Sequence, residues 1–258
     1  MHRKQTVRPD RLLTLARDLK RRKARERGAQ FVAEGVRVVD ELIHARSAVI
    51  GLLVAESAAR SPRVAALLDA AGATHLIVSD AEFASAASTE APQGVLAIAE
   101  VPVVPLSSVP ADGLRRSLVL DAVQDPGNAG ALVRTAAGLG ATAVVALPGT
   151  ADLWNAKVVR GGAGAHFHVT VTTATVEELV ARLQGVGAPL WGADAGGRPV
   201  GSMTPPPALA LAVGNEGAGL SQAVRAAAAE IVSLPMAAGV ESFNVAVAAG
   251  ILMYELFA

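Results

Sequence analysis

Short apolar runs alternate with helical patterns along almost the whole of this 258-residue chain, and that alternation restricts its fold more than any other feature. Runs at 31–33, 49–54, 75–78 and 94–99 read as strands, with helical periodicity at about 35–45, 62–71 and 80–88 between them. A second series places strands near 117–121, 142–147, 166–172, 189–193, 208–213 and 231–234. Helices near 129–139, 153–160, 176–185 and 220–228 separate these, and a closing helix spans about 243–257. Strands that alternate with helices pair in parallel through right-handed crossovers, so the expected class is α/β, in two halves. Between the halves, Val101-Pro-Val-Val-Pro-Leu-Ser-Ser-Val-Pro110 carries three prolines. Proline lacks the N–H that a central strand or helix interior uses, so this stretch reads as a linker. The expected division is 1–100, 101–114 and 115–258.

Composition removes several function classes. There are no cysteines, so disulfides, a thiol nucleophile and Cys-based zinc sites are excluded. No apolar run reaches the roughly 18 to 20 residues that span a bilayer. The first residues are charged and lack the apolar core of a signal peptide, which makes a soluble cytoplasmic protein the expectation. The formal net charge of zero conceals an asymmetry: residues 1–28 hold eleven Lys or Arg against Asp10, Asp18 and Glu26. Lys20, Arg21, Arg22, Lys23 and Arg25 continue a helical pattern that sets Leu12, Leu15 and Leu19 on one face. Such a stretch is either a solvated surface helix or an electrostatic contact for nucleic-acid phosphates, and charge alone does not choose between them.

The polar chemistry gathers in three strand–loop–helix segments of the second half. They are Asp125-Pro-Gly-Asn-Ala-Gly-Ala-Leu-Val-Arg134, Leu211-Ala-Val-Gly-Asn-Glu-Gly-Ala-Gly-Leu220 and Ser233-Leu-Pro-Met-Ala-Ala-Gly-Val-Glu-Ser-Phe-Asn-Val245. α/β proteins build ligand sites in such loops, at the carboxyl ends of their strands. Gly214–Gly219 has the wrong spacing for a dinucleotide fingerprint, and no phosphate-binding Gly-x-x-x-x-Gly-Lys-Ser/Thr occurs. Ser221 and Ser242 lack the Gly-x-Ser-x-Gly elbow of a hydrolase. Among the histidines only His166 and His168, alternating on an expected strand, have a spacing that would let a pair ligate metal. Taken alone, Asn128 reads as a helix N-cap, Ser242 as a cap of the last helix, Arg134 as a surface charge and Glu216 as a turn residue.

Together and in this order, the three segments resemble the three motifs of the SpoU/TrmH RNA 2'-O-ribose methyltransferases of the SPOUT class. Phe31-Val-Ala-Glu-Gly-Val-Arg-Val-Val-Asp-Glu41 resembles the start of that family's small L30e-like substrate-binding domain. The resemblance implies a trefoil-knotted α/β methyltransferase domain behind an L30e-like domain, S-adenosylmethionine as cofactor and a homodimer joined through the SPOUT domain. It implies cofactor contacts at Gly214, Leu234 and Phe243, with Leu211, Gly217 and Met236 beside them. Arg134 matches the proposed catalytic Arg, and Asn128, Glu216, Ser242 and Asn244 match its polar support. An Arg of pKa above about 12 is a poor base, so positioning the hydroxyl and phosphate is its physically reasonable role. One departure stands out: Gly161 and Gly162 occupy a region where the family usually has Ser. The implied activity is 2'-O-methylation of structured RNA, ribosomal before transfer RNA, with Lys20, Arg21, Arg22, Lys23 and Arg25 as RNA contacts. The alternatives are a tRNA 2'-O-methyltransferase, a role in thiopeptide resistance, a catalytically silent SPOUT-like RNA-binding protein and a small-molecule α/β enzyme, the last made less natural by the basic N-terminal segment.

Overall fold

The computed structural model describes residues 8–237, 239 and 242–257. It divides into two units, one of residues Met1–Val103 with Trp154–Phe167 and one of Val104–Leu153 with His168–Ala258.

The first unit begins with α1 (Pro9–Asp18), whose proline suits a first helical turn because its missing N–H has no partner there anyway. Leu12, Ala16 and Leu19 are buried, as the apolar periodicity requires. The basic pattern does not continue as one helix. It breaks at residues 19–21 and restarts as α2 (Arg22–Gly28), which Ala29 closes in the left-handed region. Then follow β1 (Gln30–Glu34), α3 (Val36–His44), β2 (Val49–Ala55), α4 (Glu56–Ala59), α5 (Pro62–Ala71), β3 (His75–Val78), α6 (Asp80–Ala86) and β4 (Val95–Glu100). All four strands lie where the apolar runs put them, but the sheet, in order β1-β4-β2-β3, is mixed. β4 runs antiparallel to both β1 and β2, and only β2 and β3 are parallel. The strand–helix alternation could not reveal this, because β4 inserts between two earlier strands instead of adding at an edge. Alternate residues of β4 serve opposite faces: Leu96 and Ile98 pack with Leu12 and Phe83, while Val95, Ala97 and Ala99 pack with Val39 and Leu42. Burial on both faces explains why the strand reads as an unbroken apolar run.

The second unit contains β5 (Arg116–Leu120), α7 (Pro126–Gly138) and β6 (Ala143–Ala146). The chain then contributes α8 (Ala156–Gly161) to the first unit. There Trp154 packs tilted against Phe31, 4.7 Å between ring centroids, and Arg160 donates to Ser88 Oγ beside the buried Glu34. Gly162 lies against His166, where a Cβ would stand 2.4 Å from Nδ1, so glycine here makes room for a buried ring. His166 sits in a short 3-10 turn and β7 (Thr170–Thr173) starts four residues later, so the two histidines do not share a strand. Next come α9 (Val176–Val186), β8 (Leu190–Pro199), β9 (Leu209–Val213), α10 (Gln222–Ala227), β10 (Glu230–Ser233) and α11 (Val245–Phe257). The six strands are all parallel, in order β10-β8-β9-β5-β6-β7. Leu106, Val109 and Leu114 of the Pro-rich stretch are buried in this unit's core with Leu179 and Leu183. That stretch is therefore packed structure from Val104 onward, tied by Arg182 to the Val109 carbonyl. Among the described residues no helix is long and apolar enough to cross a membrane.

Candidate active site

β9 and β5 are neighbours in the middle of the sheet, and the segments that leave their carboxyl ends meet. After Val213 the chain turns through Gly214–Gly219, closed by paired backbone hydrogen bonds between Asn215 and Gly219, each 2.9 Å. A Cβ on Gly214 would lie 2.2 Å from the carbonyl carbon of Gly219, so only glycine permits this closure. Asn215 holds the loop from inside: its Oδ1 accepts from the N–H of Gly217 and Ala218, and its Nδ2 donates to the Ala122 carbonyl.

This leaves Glu216 facing the start of α7. Its carboxylate accepts from the backbone N–H of Gln124 (3.2 Å) and Asp125 (3.1 Å) and from Asn128 Nδ2 (3.0 Å). Partial desolvation pushes the Glu216 carboxyl up, but these donors outweigh it and hold the group below the ordinary carboxylate range. Asn128 is not the helix cap. Asp125 is, accepting from the Asn128 N–H at 2.7 Å. The Asn128 side chain is thereby free to bridge, giving its Nδ2 to Glu216 and receiving Asn244 Nδ2 on its Oδ1 at 2.9 Å. Asn244, not Ser242, caps α11, through Oδ1 to the N–H of Ala246 and Val247. One residue from each of the three sequence segments thus joins a single hydrogen-bonded chain.

Beside this chain opens a cavity of about 710 Å³. Asn128, Gly214, Glu216, Gly217, Leu234, Met236, Ser242, Phe243 and Asn244 all line it, as the motif reading expected of a shared site. One expectation fails here. Leu211 lies fully buried in mid-β9, between Leu118 and Trp191, and does not reach the cavity. Gly161 and Gly162 belong to the first unit and do not line it either. Arg134 is exposed on α7, six residues and so roughly 9 Å along the helix from Asn128, outside the lining. Sequence reasoning missed Asp194, which lines the cavity together with Ala193 and Ala195. Its only sequence signal is the Gly-Gly pair that follows at 196–197.

The basic segment of the first unit is largely engaged with its own surroundings. Arg21 pairs with Asp18, Arg22 with Glu26, and Lys20 Nζ donates to the Ser85 carbonyl. Arg25 is buried, its guanidinium donating to the carbonyls of Leu19 and Lys20 across the break between α1 and α2, so it is a structural residue and not an RNA contact. Lys23 is exposed and has no such partner among the described residues.

A parallel α/β unit with a ligand-sized cavity at its strand ends and no phosphate loop belongs to the class of α/β proteins that bind a small molecule at that edge. The chain belongs to the SpoU rRNA methylase family, whose model matches residues 115–254, and an MRM3-like substrate binding domain matches residues 14–97. It is 35% identical over 236 residues to the 23S rRNA (guanosine(2553)-2'-O)-methyltransferase RlmP of Bacillus subtilis, covering 91% of each chain. The fold is similar to that of the SpoU methyltransferase AviRb from Streptomyces viridochromogenes in complex with AdoMet. The TM-score is 0.86 at 27% identity, over 95% of this chain and 96% of that one. An AdoMet-bound rRNA methyltransferase from Sinorhizobium meliloti matches with a TM-score of 0.84 at 26% identity, over 97% of this chain and 95% of the other.

Proposed function

We propose that this protein transfers the methyl group of S-adenosylmethionine to a ribose 2'-hydroxyl of 23S ribosomal RNA in the cytoplasm. The observation that carries the reading is the Glu216–Asn128–Asn244 chain, which joins three distant segments at the wall of one cavity. The cavity fits the cofactor: its volume lies within the ordinary range for small-molecule sites, and Gly214 gives backbone where a side chain would intrude. Gly214, Gly217, Leu234, Met236 and Phe243 would hold it, Leu234 and Phe243 flanking the adenine. When bound, it supplies an electrophilic methyl on a sulfonium. Asn128, Glu216, Ser242 and Asn244 then fix the groups around the acceptor hydroxyl, so that in-line approach is set before reaction.

Within this reading the second unit is a trefoil-knotted SPOUT domain and the first an L30e-like RNA-binding domain; the two family-model matches support both. Arg134 orients the hydroxyl and adjoining phosphate. Its surface location suits a homodimer: Val247, Ile251 and Tyr254 form an exposed apolar stripe on α11, which packs against α7. Calorimetry with S-adenosylmethionine or its demethylated product should give saturable binding that NAD does not compete. Label from tritiated cofactor should then enter 23S RNA lacking the modification. Transfer to tRNA alone would reassign the substrate, and RNA binding without any transfer would leave a silent RNA-binding protein.

A further inference from the structure

Strand β8 leaves the sheet in mid-course. Gly192 pairs with Ile231 of β10, yet the next residue of β10, Val232, pairs with Arg198, so residues 193–197 form an excursion with no partners on β10. Irregularities of this kind re-aim side chains away from the ladder. Gly197 permits the return, since a Cβ there would lie 2.6 Å from the Ile231 carbonyl oxygen, and Ser233 Oγ fastens it by donating to the Gly197 carbonyl at 2.9 Å. The excursion delivers Ala193, Asp194 and Ala195 to the cavity wall.

Asp194 is held in place on both oxygens. The Gly196 N–H donates to Oδ1 at 3.0 Å, and the Arg225 guanidinium donates to Oδ2. Burial pushes its carboxyl up, but these two donors prevail and keep it below the ordinary range, so it is a carboxylate at neutral pH. Among the described lining residues the only other acid is Glu216, whose oxygens already accept three donors from the α7 side. Asp194 therefore retains acceptor capacity toward the cavity, one donor having been met on each oxygen. Its charge is balanced by Arg225, which weakens its pull on a cation but leaves lone pairs for neutral hydroxyl donors. Two acceptor oxygens side by side match a vicinal diol, and a carboxylate beyond a parallel strand binds ribose hydroxyls in dinucleotide sites by the same logic.

We propose that Asp194 receives the ribose 2'- and 3'-hydroxyls of the adenosyl ligand and so selects an intact ribonucleoside. This rests on the reading that the cavity takes S-adenosylmethionine. The test uses calorimetry on wild type and Asp194→Asn with S-adenosylhomocysteine, 5'-methylthioadenosine and 2',3'-dideoxy-5'-methylthioadenosine. Asp194→Asn should weaken methylthioadenosine roughly ten- to a hundredfold, the range for hydrogen bonds to a charged group. The dideoxy ligand should bind wild type and variant alike. Undiminished methylthioadenosine binding by the variant would overturn the proposal. In that case a loss confined to S-adenosylhomocysteine would assign the carboxylate to the amino-acid ammonium. Equal losses for the diol and dideoxy ligands would also overturn it, because the substitution would then act through the loop. Wild type that binds none of the three would sink the cofactor reading itself.

Discussion

The arginines of the basic segment in the first unit and the loop cluster of the second satisfy their polar atoms over very different stretches of chain. Arg21 finds Asp18 three residues away, Arg22 finds Glu26 at four, and Arg25 finds the Leu19 carbonyl at six. At the cavity, Asn128 meets Glu216 across 88 residues and Asn244 across 116. A local pair forms wherever its helix forms and says little about the rest of the molecule. A pair that spans a third or more of the chain exists only when the sheet is assembled, so its geometry is fixed by the whole fold. Preorganisation of that kind is what transfer chemistry needs, since the groups must be in place before the reacting atoms arrive.

The comparison breaks most easily at Gly214. If close backbone closure shapes the site, Gly214→Ala should lower S-adenosylmethionine affinity roughly a hundredfold, about 3 kcal/mol, because overpacking there must displace the loop. Gly217→Ala, three residues along in the same loop, is the control: its Cβ would meet nothing nearer than Asn215 Oδ1 at 3.7 Å. It leaves the closure intact, so any loss comes from the methyl meeting the cofactor alone and should fall well short of that at Gly214. Similar losses at both positions would show that loop glycines act through chain flexibility and that the tight closure of Gly214 on Gly219 is incidental.

Arg134 belongs to neither class of pairing. It makes no hydrogen bond to a described residue and stands outside the cavity. If it orients the acceptor, Arg134→Ala should cut methyl transfer by about a hundredfold or more while leaving cofactor affinity within about twofold. Lysine should rescue poorly, because it lacks the planar fork that can grip a hydroxyl and a phosphate together. Near-normal turnover of the Ala variant on its RNA would remove Arg134 from the reaction.

How far the sequence speaks follows the same division. Strand positions were legible because apolar runs mark burial, and the three loops because Gly and Pro interrupt them. The antiparallel insertion of β4 was not, since alternation carries no information on sheet order. Asn128 reads as a cap until Asp125 is seen to hold that post, which frees the amide for Glu216 and Asn244. Asp194 was illegible because it reaches the cavity through a register jump between β8 and β10, and no local pattern encodes a jump. Arg25 was over-read as an RNA contact: counting charge along a helix takes no account of the carbonyls that folding brings beside a side chain. Leu211 was over-read as well, as only the last residue of β9, Val213, reaches the cavity and the strand's middle does not.

The smallest effect is expected in the basic segment, where Arg25 and Lys23 should separate cleanly. Arg25→Ala deprives two carbonyls at the α1–α2 break of their donor and leaves a buried gap. It should cost on the order of 2 kcal/mol of stability, read as a fall in Tm, with no change in how RNA affinity responds to salt. Lys23→Ala should do the reverse. Its ammonium is exposed and uncommitted, so each phosphate contact it makes releases a counterion, and its loss should reduce the salt slope by about 0.7 to 0.9 at unchanged Tm. Replacing Lys20, Arg21, Arg22 and Lys23 together by Ala should lower the slope little further. For Arg21 and Arg22, an approaching phosphate must share the cation with Asp18 or Glu26, so less counterion is gathered there to release. The measurement is RNA affinity across a salt series for wild type and the three variants. A slope change near four contacts would mean that RNA breaks the local pairs, and the contrast between the two regions would be one of the free protein only. Identical slopes throughout would mean that α2 is a solvated face and that RNA enters elsewhere.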